Sequence, residues 1–124
     1  MKNKRIDKVK ALINDAIRIN DKAIMMLSKG NDIINLADKV WEAYSKLECA
    51  IILLKLNLDN DSTQDKEFQG SLKENCFDVG GLLVRAYDAL TNTLDKIDSD
   101  LITTLMNTRL ARDSLRLVLS RLKK

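Results

Sequence analysis

Carboxylates one helical turn apart are the residues here best placed to hold a divalent cation. Asp38 and Glu42 form one such pair, Glu74 and Asp78 another. Helical nucleotide hydrolases hold magnesium between acidic pairs of this kind, with substrate phosphates completing the octahedron. A hairpin of the second and third helices sets Glu42 and Asp78 at one height, which makes a magnesium-dependent nucleotide hydrolase one reading of the chain. Both acids nevertheless lie beside the apolar stripes, with Lys39 and Lys73 as neighbours, and that is the pattern of a solvated face. Asp59, Asp61, Thr63 and Asp65 alternate like the start of a calcium loop. The sixth position is Gln64 where glycine is needed, and the twelfth is Gly70 where a bidentate glutamate belongs. This stretch reads as a loop without metal.

Histidine is absent. That removes Ser-His and Cys-His nucleophile pairs, an imidazole base and the Glu-x-x-His motif of di-iron bundles. Two distant cysteines, Cys49 and Cys76, supply neither a common zinc site nor a disulfide framework. Gly80-Gly81 lacks the Gly-Lys-Ser/Thr ending and the preceding strand of a phosphate loop. The expectation is a protein that is not an enzyme and needs no cofactor or metal.

The elements that carry these residues are helices. The chain of 124 residues has no proline, four glycines and 45% hydrophobic residues, too few turn-formers for a strand-rich fold. Ile6, Val9, Ile13, Ala16, Asn20, Ala23 and Leu27 step by three and four, as a core-facing stripe must. Asn20 stands inside that stripe, and the pattern predicts an amide satisfied by a partner, since burying it alone costs about 1–3 kcal/mol. Gly30 ends this helix in a tight turn that makes the first two helices antiparallel neighbours. Ile33, Ala37, Val40, Tyr44, Leu47, Ile51, Leu54 and Leu58 form the second stripe without a miss. Phe68, Leu72, Cys76, Val79, Leu83, Ala86, Leu90, Leu94 and Ile97 form the third, with Gly80 and Gly81 in mid-helix to bend it or to admit a close neighbour. Asp98 or Ser99 is expected to cap the fourth, whose stripe is Leu101, Leu105, Thr108, Ala111, Leu115, Val118 and Leu122. The sequence predicts an all-α, single-domain, antiparallel up-down-up-down four-helix bundle with helices over about 3–29, 32–57, 65–97 and 99–123.

Two surfaces stand out on that frame. Cys49, Ile52, Leu53 and Leu56 lie outside the second helix's inner stripe, so its C-terminal half is apolar nearly all round. A bundle buries one face of each helix, and a second apolar face calls for another contact. Trp41 adjoins the inner stripe and can join either surface. The second surface is basic. Residues 1–10 carry five Lys/Arg against Asp7, and residues 107–124 carry six against Asp113. In up-down-up-down order the two ends share a pole, where Lys4, Arg5, Lys8, Arg109, Arg112, Arg116 and Lys123 attract phosphate. The acidic stretch from Asp59 to Glu67 reaches the same pole and neutralises part of it, and no aromatic is interleaved to stack bases. Lysines at a helix C-terminus also suit the dipole with no partner.

Leu27-Ser28-Lys29-Gly30-Asn31-Asp32, followed by Ala37-Asp38-Lys39-Val40-Trp41-Glu42-Ala43, resembles archaeal PaREP1-type helical proteins, relatives of the HEPN superfamily. Those carry a Lys-Gly-Asp turn and then Ala-x-x-Lys-x-Trp-x-Ala, and here Asn31 intervenes before the acid. The resemblance covers residues 27–43 and implies a four-helix bundle that pairs through its helices. Ribonucleases of the wider superfamily use an Arg…His motif, which a chain without histidine does not have.

The composite expectation is a self-associating interaction protein, a homodimer or the partner of another protein, with Cys49, Ile52, Leu53 and Leu56 at the contact. Nucleic-acid binding at the basic pole is the alternative. The longest apolar run, Ala50 to Leu54, stops at Lys55, far short of a membrane span. The basic N-terminus has no continuous apolar stretch behind it, so no signal peptide and a cytoplasmic location are expected.

Overall fold

The computed structural model describes residues 4–30, 33–58 and 78–122. They form four helices: α1 (Lys4–Ser28), α2 (Ile33–Leu58), α3 (Val79–Lys96) and α4 (Leu101–Leu122). The periodic stripes become one core. Val9, Ile13 and Ala16 of α1 close against Val40, Leu47 and Leu54 of α2, Leu83, Ala86 and Leu90 of α3, and Leu105, Leu115 and Val118 of α4. Each fully buried Leu, Ile or Val contributes about 1.5–3 kcal/mol. Alanines 16, 23, 43, 50, 86 and 111, all without exposure, keep the helix surfaces low where neighbours approach. The buried hydroxyls of Thr93, Thr104, Thr108 and Ser114 each donate to the carbonyl four residues back, so they enter the core already satisfied.

The termini follow local chemistry. Gly30 takes φ +72° after α1, the left-handed conformation that costs a side-chain-bearing residue most. Asp78 is extended and caps α3, its Oδ1 accepting from Gly81 N at 2.8 Å. This corrects the expected continuous helix over 65–97: α3 starts at Val79, and residues 65–77 lie outside the described part of the chain. Gly80 and Gly81 accordingly stand in the first turn of α3, neither bending a helix nor sitting at its middle. Asp100, rather than Asp98 or Ser99, caps α4, accepting from Thr103 N at 3.0 Å and from Thr103 Oγ1 at 2.7 Å. These bonds hold its carboxyl below the usual carboxylate range.

The order of helices around the bundle also differs from expectation. α1 packs on α2 and α3, and α4 packs on α2 and α3, while among the described residues α1 and α4, and likewise α2 and α3, stand on diagonals and are not adjacent. Asn20 meets Leu83, and Lys10 meets Asp98, so α1 and α3 run antiparallel. Glu48 meets Arg112 while Trp41 and Tyr44 share a groove with Leu119 and Ser120, so α2 and α4 run antiparallel too. The path is therefore up-down-down-up, with α2 and α3 parallel on one diagonal. A tight turn forces its two helices to be antiparallel neighbours. Leu58 and Asp78 are too far apart in sequence for that constraint, and the chain leaves α2 at one pole and enters α3 at the other.

Candidate functional site

The seam between α2 and α4 carries a partly buried polar network. Tyr44 lies on the α4 side of α2, one turn before Glu48, and its hydroxyl donates to Glu48 Oε2 at 2.8 Å. Glu48 Oε1 in turn faces Arg112 Nη1 of α4 at 3.4 Å. Arg112 Nε donates to Asp113 Oδ1 at 3.1 Å, and Arg116 Nη2 donates to the same oxygen at 3.1 Å. Five side chains thus make one continuous relay across the seam. The Arg112 and Asp113 side chains are only 11% and 9% exposed, so low dielectric strengthens their pairing. Burial alone would lower the Arg112 pKa, but the charges of Asp113 and Glu48 outweigh it and hold the guanidinium above its ordinary value. Burial first, and then the Glu48 bond, raise the Tyr44 phenol above its ordinary value.

Above this relay lies a groove of about 360 Å³ lined by Trp41, Tyr44, Arg116, Leu119 and Ser120. Trp41 stacks on Tyr44 with ring centroids 5.4 Å apart and planes inclined by 25°. The indole is nevertheless 57% exposed. Sequence reasoning placed Trp41 beside the inner stripe and Tyr44 within it but did not pair them with Arg116. Aromatics at i and i+3 on α2 were the available signal, and the α4 half of the groove depends on helix order.

The expected interface residues divide. Ile52 and Leu56 are 58% and 55% exposed, and Cys49 is exposed as a free thiol. Leu53 is only partly accessible, because it turns toward the core and packs against it. The Glu48–Arg112 pair sets the α2/α4 register, and it places Leu56 level with the stretch between Ile102 and Met106. Both of those side chains are exposed, and the sequence reading had not singled them out.

Among the described residues the basic pole does not form. Lys10 pairs with Asp98 in the α3–α4 turn at 2.9 Å, so the start of α1, with Lys4, Arg5 and Lys8, stands at the pole where α4 begins. The end of α4 lies at the opposite pole, because α1 and α4 run parallel on a diagonal of the bundle. Arg109 is buried at 5% exposure, Arg112 is engaged by Glu48 and Asp113, and Arg116 is tied to Asp113. Lys123 lies outside the described residues.

The acidic pair of the magnesium reading is also separated. Glu42 faces the α1 side of α2 and pairs with Lys39 at 3.7 Å, whereas Asp78 caps α3 on the diagonal corner. Glu74 and the stretch from Asp59 to Asp65 lie outside the described residues. Among the described residues no three His, Cys, Asp or Glu side chains gather as metal ligands. No described helix is long and apolar enough to cross a membrane. Asn20 departs in part from the expected satisfied amide: its Nδ2 donates to Leu83 O at 2.9 Å, but its buried Oδ1 has no hydrogen-bond partner among the described residues.

Fold and site together define an all-α four-helix bundle with a polar relay and an aromatic groove on one seam. No family model, curated protein or solved structure matches the chain.

Proposed function

We propose that this protein is a non-catalytic helical-bundle interaction module that pairs with a second copy through the outer face of the C-terminal half of α2. The observation that carries the reading is the exposure of Ile52 and Leu56 on turns whose opposite side, Ile51 and Leu54, is closed by the protein's own core. A helix with two apolar faces has used only one of them. Ile102 and Met106 extend the accessible apolar surface onto α4 at the same level. An uncharged patch of this kind is its own chemical complement, so two copies can bury it about a twofold axis, each presenting the same residues to the other. The resemblance of residues 27–43 to helical proteins that pair through their helices points the same way.

Sedimentation of the wild type and of an Ile52→Glu/Leu56→Glu variant tests this. The wild type is expected to sediment as a dimer and the variant as a monomer of unchanged helix content. A monomeric wild type at high micromolar concentration removes the proposal.

A further inference from the structure

We infer that the groove between the N-terminal half of α2 and the C-terminal half of α4 is a binding site for a small planar aromatic carboxylate. Its volume of about 360 Å³ falls at the small end of ligand sites and suits a molecule of one or two rings. Trp41 and Tyr44 supply a stacked aromatic wall, and Leu119 supplies an aliphatic one. Such surfaces favour an offset-stacked flat ring.

The polar end is equally defined. Arg116 lines the groove with its side chain 47% exposed, and Asp113 takes one of its nitrogens. A guanidinium carries five N–H donors, so donors remain for an incoming anion, and Ser120 lines the same groove. The relay beneath holds one residue on each side of the groove, Tyr44 and Arg116: Tyr44 is held by Glu48, Glu48 by Arg112, and Arg112 and Arg116 by the shared oxygen of Asp113. Side chains held before a ligand arrives lower the ordering cost of binding. The charges of that relay cancel, two carboxylates against two guanidiniums, so the groove suits a single negative charge better than a phosphate dianion.

The site is independent of the self-association surface and is tested separately from it. The probes are 2-naphthoate, its uncharged counterpart 2-naphthalenemethanol, and adenosine monophosphate. Each is followed by calorimetry and by emission of Trp41, the single tryptophan of the chain. Naphthoate is expected to bind and to change Trp41 emission, with the alcohol at least about tenfold weaker. Arg116→Met is expected to weaken naphthoate by about tenfold while leaving the alcohol unchanged, and Trp41→Ala to weaken both. The Ile52→Glu/Leu56→Glu variant is expected to bind naphthoate like the wild type. Naphthoate producing neither heat nor emission change at millimolar concentration overturns the proposal. So does an affinity indifferent to Arg116→Met, or tighter binding of the nucleotide than of the carboxylate.

Discussion

Tyr44 and Glu48 stand one turn apart on α2, and the phenol donates to the carboxylate at 2.8 Å while Arg112 of α4 approaches the other carboxylate oxygen at 3.4 Å. Glu48 is thus the residue through which an aromatic wall of one helix is tied to a guanidinium of another. Its side chain is 40% exposed, whereas that of Arg112 is nearly closed, so water screens the pair from one side only. A coupling of about 1 kcal/mol is expected between Glu48→Ala and Arg112→Met in a double-mutant cycle followed by urea unfolding. A coupling of zero means that this pair adds nothing to the packing of the two helices.

The raised Tyr44 pKa has a definite sign in pH dependence. A phenol that ionises less readily in the folded state stabilises it fully below the unfolded-state value, near pH 10, and loses that contribution as pH rises through the higher folded value. The bundle is therefore expected to weaken above about pH 10 in a step that Tyr44→Phe removes. Tyrosinate absorbance of a Tyr87→Phe variant isolates Tyr44, and a midpoint at or below that of free tyrosine contradicts the half-buried, Glu48-bonded phenol.

What the sequence disclosed and what it withheld separate on physical grounds. The stripes of α1, α2 and α4 were legible because burial of one helix face imposes a three-and-four spacing that any residue order must obey. Gly30 was legible because a left-handed turn selects for glycine. Helix order was not legible. Two antiparallel helices and two further antiparallel helices can dock in more than one sequence around a square, and each order buries the same stripes. The basic pole was drawn from one of those orders, and it dissolves in the other because the start of α1 and the end of α4 then lie a bundle's length apart.

The start of α3 was hidden for a different reason. Phe68, Leu72, Cys76 and Val79 keep helical spacing straight through Asp78, so periodicity alone runs past the cap. Asp78 followed three residues later by a glycine whose N–H it accepts was the competing local signal, and the cap prevails. Replacing Asp78 with Ala is expected to cost about 1 kcal/mol, and Asp78→Asn considerably less. The same unfolding midpoint for all three proteins dismisses the cap as a stabilising feature.

Gly30 offers a backbone test free of packing effects. A Cβ built at this position meets nothing within 4 Å, so any loss on substitution comes from φ +72° itself. Gly30→Ala is expected to lose about 1 kcal/mol, and Gly30→Asn less, since a short polar side chain tolerates the left-handed region. Thermal unfolding reads this as a lowering of about 4 °C for the alanine variant. An alanine variant as stable as the wild type means that the turn between α1 and α2 readily adopts another conformation.

Asn20 supplies a buried side-chain bond that joins α1 to the backbone of α3, reaching Leu83 O at 2.9 Å from within the apolar stripe. An aliphatic residue packs there with equal ease in several rotations of α1, whereas an amide with one carbonyl to meet favours a single register. Asn20→Ala removes the bond and leaves a small void, but it also removes the buried, unpartnered Oδ1, so the expected loss is about 1 kcal/mol, seen as a lower urea midpoint at unchanged slope. If the amide also sets register, hydrogen exchange in the variant is expected to quicken along the α1–α3 seam more than along the α2–α4 seam. Uniform quickening assigns Asn20 to stability alone, and an unchanged midpoint denies it either part.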